Sequence, residues 1–153
     1  MFRKALLALD RSPFSEAAIP RVVDANPTSV VVLEVLESVA SILSREVPAF
    51  DVPPDIARQI GESERRAVEQ HLETVSARLR ELGIRDIVTM TRHGRPGPEI
   101  VRVAKEEGCD LIVMSTHGRS GMSRALLGSA AHYVVGHVEN AAVLLVRPGV
   151  EHD

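Results

Sequence analysis

Residues 110–129 read DLIVMSTHGRSGMSRALLGS. An apolar run of strand length ends here in a polar loop that carries Gly118 and Gly121, and the loop closes on Gly128 and Ser129, where an alanine-rich helix can begin. Glycine lets the backbone approach a ligand closely, and the free N–H groups and positive dipole of a helix start attract anions. This order of strand, loop and helix start is suited to holding a phosphate, and Arg119 adds a positive charge.

Aliphatic runs and helical patterns alternate on both sides of this stretch. We predict strands at 5–9, 30–36, 86–91, 111–114 and 142–146, and helices at about 13–26, 55–82, 98–108 and 128–138. Such alternation favours an α/β fold, in which a five-stranded parallel sheet has helices on both faces. We expect residues 1–153 to form a single domain.

Two of these segments carry further expectations. Residues 37–54 contain prolines at 48, 53 and 54 and are interpreted as a long connection with a short helix near 40–43. The helix after it has an apolar face that includes Ile56, Ile60, Leu72 and Leu79. His71 lies among charged and amide side chains of the same helix and is interpreted as a solvated position.

The composition limits the classes of protein that this chain can belong to. Aromatic residues make up only 3%, so the core must be built from aliphatic side chains, as in buried parallel strands. The net charge of −3 gives no general attraction to nucleic acid or to anionic membranes, and no apolar run approaches the ~20 residues of a membrane span. Asp10 and Arg11 interrupt the N-terminal apolar run, which predicts a strand, not a signal peptide, and a cytoplasmic protein.

Polar residues follow the first and the fourth predicted strands. Asp10 ends the first, and Ser115 and His117 end the fourth. Ligands of open α/β sheets bind beyond the carboxyl ends of strands, so Asp10 could accept hydrogen bonds from a ribose if these two strands are neighbours. Three alternatives remain open: helix capping by Asp10 and Ser12, turn geometry or helix capping at Gly118 and Gly128, and a structural role for His117.

Other familiar sites are missing from the sequence. It contains neither Gly-x-x-x-x-Gly-Lys-Ser/Thr nor a Gly-x-Gly-x-x-Gly after the first strand. Its six histidines do not form a metal-binding pattern, and its one cysteine, Cys109, cannot form an internal disulfide. We therefore predict no metal site and no catalytic residues.

The chain resembles the universal stress protein family. The nucleotide motif of that family is Gly, two residues, Gly, nine residues, Gly, then Ser or Thr, and here Gly118, nine residues, Gly128 and Ser129 match its second half. The first glycine of the motif falls on Ser115, whose side chain could crowd a nucleotide or add a hydrogen bond. The resemblance extends over nearly the whole chain, including residues 4–12, 110–114 and 142–148.

The resemblance implies a strand order of 3-2-1-4-5 and ATP bound across the ends of the first and fourth strands. It also implies a homodimer formed through the last strand, 142–146. The implied nucleotide contacts are Ala8, Leu9, Asp10, Val35, Met114, Ser115, His117, Gly118, Arg119, Gly121, Gly128, Ser129 and Ala130. Among them, Asp10 would face the ribose or adenine, the Val35 backbone would meet the adenine edge, and Gly118 and the residues after it would surround the phosphates.

The predicted function is that of a cytoplasmic, ATP-binding universal stress protein that acts as a nucleotide-dependent regulator or sensor. Whether Mg²⁺ accompanies the ATP stays open, since Asp10 is the one candidate carboxylate. Any hydrolysis should be slow, because no general base is paired with a nucleophile. The alternatives are an interaction protein of the same fold that binds no nucleotide, and a nucleotidyl transferase or small hydrolase.

Overall fold

Five parallel strands form the centre of the fold in a computed structural model that describes residues 1–38, 52–117 and 127–149. The strands are β1 (Lys4–Leu9), β2 (Ser29–Leu36), β3 (Asp86–His93), β4 (Leu111–Ser115) and β5 (Ala142–Val146). Their order in the sheet is β3-β2-β1-β4-β5, which confirms the predicted architecture. β1 is therefore central, paired with β2 from Lys4–Ser29 to Leu9–Glu34 and with β4 from Ala5–Leu111 to Leu7–Val113.

Five helices cover the two faces of the sheet in the described part of the chain. They are α1 (Pro13–Glu16), α2 (Ala18–Asp24), α3 (Pro54–Glu81), α4 (Pro96–Glu106) and α5 (Ser129–His137). Successive side chains of a strand point to opposite faces, so Leu7 packs with α2 and α3 whereas Leu6 packs with α4 and α5. Both faces of the central strands are thereby buried, which explains their continuous aliphatic sequences.

The helix predicted at 13–26 is two helices, α1 and α2, separated at Ala17. Pro20 accounts for the break, because it has no N–H to donate to the carbonyl of Glu16 and its ring would clash with that carbonyl in a continuous helix. In the first turn of a new helix the N–H is not needed, so Pro20 is tolerated in α2. Similarly, α4 begins at Pro96, two residues before the predicted start, with proline at its first position.

The apolar face predicted for α3 is buried only in its second half. Val68, Leu72 and Leu79 lie in the core, whereas Ile56 and Ile60 are exposed. A helix of 28 residues is about 42 Å long, and the eight residues of β2 span only about 26 Å, so α3 extends past the sheet. The short helix predicted near 40–43 lies outside the described residues. None of the described helices combines the length and the apolar character that a membrane crossing requires.

Candidate functional site

A cavity of about 630 Å³ opens at the carboxyl ends of β1, β2 and β4. It lies at the point where the strand order reverses, since β2 and β4 lie on opposite sides of β1. Open α/β sheets bind ligands at such a point. Its volume falls in the range of small-molecule sites, roughly 300–1,000 Å³. The cavity therefore has the location and the size expected for a bound metabolite.

The cavity brings together most of the residues that the sequence singled out. Those that line it are Ala8, Leu9, Asp10, Val35, Met114, Ser115, His117, Gly128, Ser129 and Ala130. Gly118, Arg119 and Gly121 lie outside the described residues. The walls also include residues that sequence reasoning did not select, among them Arg11, Glu34 and Glu64.

The loop after β1 is held by short-range hydrogen bonds. The carboxylate of Asp10 accepts the N–H of Ser12 at 2.9 Å, and the Asp10 N–H donates to Ser15 Oγ at 3.2 Å. Ser12 caps α1, since its Oγ accepts the N–H of Ser15 at 3.1 Å. The capping role considered for this segment thus belongs to Ser12, while Asp10 remains on the cavity wall.

Ser115 occupies the position at which β4 meets the loop. Its hydroxyl donates to the carbonyl of His117 at 2.7 Å and lies 3.2 Å from the N–H of the same residue. The Ser115 side chain is therefore folded onto its own loop backbone and is almost fully buried. Thr116 Oγ1 lies 3.0 Å from His117 Nδ1, so the imidazole is also tied to the loop.

The N-terminus of α5 faces the same cavity. The N–H of Gly128 donates to the carbonyl of Thr116 at 2.8 Å, which joins the helix start to the end of β4. Gly128 is the N-cap and makes no side-chain cap, so the next N–H groups, on Ser129, Ala130 and Ala131, gain no partner from it. Together with the helix dipole, these N–H groups create a local preference for an anion.

A cluster of charged side chains lies beside the loop after β1, and three of its members, Arg11, Glu34 and Glu64, line the cavity. Arg11 Nε lies 2.6 Å from Glu34 Oε1, and Arg11 Nη2 lies 3.1 Å from Glu64 Oε1. His71 bridges two carboxylates, with Nδ1 3.2 Å from Glu34 Oε2 and Nε2 3.3 Å from Glu16 Oε1. The solvated position predicted for His71 is thus wrong, because its side chain is only 14% exposed and contacts two other elements.

Glu34 is the buried centre of this charged cluster. It is 1% exposed within β2. Burial raises the pKa of its carboxyl above the usual value, although the hydrogen bond from His71 and the charge of Arg11 oppose that shift. The sequence alone could have indicated a partner for Glu34, because it is a charged residue within the aliphatic stretch 30–36. Carboxylates are rarely buried without a partner.

Metal-binding side chains do not gather in the parts of the chain that the structure describes. Within residues 1–38, 52–117 and 127–149, no three His, Cys, Asp or Glu side chains come together in a way that could hold an ion.

Comparison with known proteins connects this geometry to one family. The sequence model of the universal stress protein family matches residues 1–147. Universal stress protein YxiE of Bacillus subtilis is 30% identical over 151 residues, covering 96% of this chain and 100% of YxiE. Universal stress protein MJ0577 of Methanocaldococcus jannaschii is 35% identical over 78 residues, which are 50% of this chain and 46% of that protein.

Solved structures share the fold over nearly the full chain. The structure of MJ0577 has a TM-score of 0.80 at 25% identity and covers 99% of both chains. A universal stress protein in complex with cAMP has a TM-score of 0.65 at 20% identity, covering 95% of this chain and 97% of the other. A family protein of Arabidopsis thaliana with AMP bound has a TM-score of 0.61 at 19% identity, with 97% and 94% covered.

Proposed function

Because the chain belongs to the universal stress protein family, we propose that it binds ATP and acts as a nucleotide-dependent regulator or sensor in the cytoplasmic stress response. One observation carries the proposal: a single cavity joins the Asp10 loop after β1 to the uncapped start of α5. A nucleotide needs a polar partner for its sugar and a separate site for its phosphates, and these two ends of the cavity can supply them.

The base and the sugar belong at the β1–β2 end of the cavity. The β1–β2 pairing ends at Leu9 and Glu34, so Val35 lies just beyond it, where its backbone can meet the edge of an adenine. The Asp10 carboxylate would accept hydrogen bonds from ribose hydroxyls. Guanine presents its donors and acceptors in a different order along that edge, so this arrangement favours ATP over GTP.

The phosphates belong at the start of α5. The N–H groups of Ser129 and Ala130 would donate to phosphate oxygens there, and His117 lies on the adjoining wall. The family motif adds Gly118, Arg119 and Gly121 to this end. Any Mg²⁺ that accompanies ATP would be held mainly by the phosphates, because the described residues form no carboxylate cage.

Two structural relatives support an adenine nucleotide as the ligand class. One is a universal stress protein in complex with cAMP, and the other is the Arabidopsis family protein with AMP bound. Both ligands carry adenine, ribose and a phosphate. The cavity of the present chain offers a partner of suitable chemistry for each of these three parts.

Replacing Ser129 with proline tests the phosphate end. Proline is tolerated at the first position of a helix, and the ψ of 158° at Gly128 suits a residue that precedes proline, so Ser129→Pro should keep the fold while removing one N–H donor. A charge-assisted hydrogen bond contributes about 1.5–3 kcal/mol, so ATP affinity should fall roughly 10- to 150-fold in calorimetric titration.

Ser129→Ala is the matched comparison, because it removes the hydroxyl and keeps the N–H, so the further loss of affinity from Ser129→Ala to Ser129→Pro measures the N–H donor alone. Competition with GTP tests the base end, and equal affinities for ATP and GTP would exclude the adenine assignment. If the unaltered protein binds no ATP, that result would favour the alternative of an interaction protein of this fold. Rapid turnover of added ATP would instead favour the enzyme alternative.

We further propose that two copies associate through β5, and that residues 1–153 form one domain. β5 is an edge strand of the sheet, composed of apolar residues, and its outer backbone groups can pair with a second copy about a two-fold axis.

A further inference from the structure

The backbone of Arg11 adopts a conformation that is unfavourable for an ordinary residue. Its φ is +66°, in the left-handed region that glycine adopts readily and that costs other residues about 1–2 kcal/mol. The turn at this position directs the chain from the end of β1 into α1, and Asp10 lies immediately before it. The surrounding structure must therefore offset that cost, and the Arg11 side chain makes one interaction that can contribute.

Two carboxylates supply that interaction. Arg11 Nε lies 2.6 Å from Glu34 Oε1 on β2, and Arg11 Nη2 lies 3.1 Å from Glu64 Oε1 on α3. The Arg11 side chain is only 19% exposed, so the ion pairs are partly protected from water and are stronger than surface pairs. Arg11 is thus fixed to two elements that do not belong to its own loop.

We propose that Arg11 is a positioning residue for the nucleotide: its ion pairs with Glu34 and Glu64 hold the turn that keeps the Asp10 carboxylate on the cavity wall. The proposal rests on the function proposed above and adds to it a residue outside the family motif. The Asp10 carboxylate accepts the N–H of Ser12, so a shift of the turn at Arg11 would move both groups.

The cluster extends this support to the helices. His71 of α3 contacts the second oxygen of Glu34 and also Glu16 of α1, so Glu34 cannot move without disturbing two helices. Glu34 itself is buried, and burial raises the pKa of its carboxyl. The positive charge of Arg11 opposes that shift and stabilises the ionised form of Glu34. This cluster therefore joins the Asp10 loop to β2, α1 and α3 next to the cavity.

Arg11→Gly separates this proposal from a purely conformational role. Glycine adopts φ of +66° without cost, so if only the backbone turn matters, the variant should bind ATP as the unaltered protein does. If the ion pairs position Asp10, affinity should fall about tenfold or more, the effect of losing one charge-assisted interaction. Glu64→Gln should weaken binding in the same direction, and Arg11→Lys should restore part of it.

Hydrogen exchange provides a readout that needs no ligand. In Arg11→Gly, the N–H groups of Ser12 and Ser15 should exchange faster, while the core amides of β1 and β2 keep their protection. An equal increase at all amides would mean a general loss of stability and would overturn the positioning role, as would unchanged exchange at Ser12. These outcomes stand even if the unaltered protein binds no ATP, which would refute only the proposed function.

Arg21→Ala is the matched control. Arg21 pairs with Asp24 at 2.9 Å on the surface of α2, with both side chains about 60% exposed. Its loss removes an arginine ion pair away from the cavity and should change neither the ATP affinity nor the exchange at Ser12. A similar effect of Arg21→Ala and Arg11→Gly would show that general charge, not the position of Arg11, governs binding.

Discussion

Ser115 stands where the family motif has its first glycine, and its contacts explain how a side chain fits there. The hydroxyl is bonded to the backbone of His117 and not extended into open space. A serine in this arrangement can act as a small local brace, because side-chain bonds to nearby backbone stabilise turns. The crowding that a side chain could cause at this position is therefore reduced by its own hydrogen bonds.

The buried carboxyl of Glu34 predicts a specific dependence of stability on pH. Burial raises the pKa of this carboxyl in the folded state above its usual value of 4.5. The protonated carboxyl therefore stabilises the folded state, and this contribution is fully present below pH 4.5. It is lost as the pH rises through the folded-state pKa. We expect Glu34→Gln, which does not titrate, to lack this loss. The free energy of unfolding of the unaltered protein should therefore decline relative to Glu34→Gln as the pH rises above 4.5, measured by urea denaturation. A difference between Glu34→Gln and the unaltered protein that stays constant with pH would contradict the raised pKa.

Individual residues differ in how far the sequence could predict them. The places of Asp10 and Ser129 in the fold could be predicted, because a local pattern defines each: the polar end of a strand, and the first turn of a helix after glycine. The contact between His71 and Glu34 could not, because the two residues are 37 positions apart and their pairing depends on how α3 packs against β2. Local neighbours of His71 indicate only an exposed helical position.

The packing of α4 on α5 requires a residue without a side chain at Gly97. A Cβ built there would lie 2.7 Å from Cβ of Tyr133, closer than real side chains approach. Because the obstacle is the Tyr133 Cβ, next to the backbone, one of the helices would have to shift. Gly97→Ala should therefore lower the free energy of unfolding by about 1–3 kcal/mol, with a lower melting temperature in thermal denaturation.

Two other helical glycines serve as controls for this prediction. A Cβ at Gly61 of α3 or at Gly136 of α5 would meet nothing within 4 Å, and neither has a positive φ. Gly61→Ala and Gly136→Ala should each stabilise the protein by about 0.5–1 kcal/mol, through helix propensity alone. Equal effects at all three positions would mean that Gly97 has no packing role.

At the level of elements, the strands were easier to predict than the helix ends. Strands such as β2, β4 and β5 are short aliphatic runs, a pattern that marks them directly in the sequence. The break between α1 and α2 depends on the missing N–H of Pro20, which hydrophobic periodicity does not register. The exposed start of α3 depends on the length of the sheet beneath it, so its apolar residues alone could not show where burial ends.

At the level of the whole molecule, the strand order places the two halves of the site side by side. β1 and β4 are far apart in the chain but adjacent in the sheet, so the Asp10 loop and the start of α5 meet at one cavity. From β1 the sheet continues on one side with β2 and β3 and on the other side with β4 and β5. A crevice is left open at the point where the order changes direction. The sequence predicted the alternation of strands and helices, while the order of the strands came from the family resemblance.

The two edges of the sheet differ in a way that predicts the mode of assembly. β3 presents Asp86, Arg92 and His93, and charged residues on an edge strand discourage pairing with another chain. β5 consists of Ala142–Val146 without a charge, and Leu144 is 38% exposed. A second copy related by a two-fold axis could pair with β5 and cover both apolar edges at once.

Substitutions on the two edges test this asymmetry. Leu144→Glu places a charge on the apolar edge without entering the core, because Leu144 is exposed. Val143 is less suitable, because its side chain packs partly against α4 and α5. We expect light scattering at micromolar concentration to give twice the mass of one chain for the unaltered protein and a single-chain mass for Leu144→Glu. Val88→Glu, at a comparably exposed valine of β3, should remain a dimer. A monomeric unaltered protein, or dissociation caused by Val88→Glu but not by Leu144→Glu, would place the interface elsewhere.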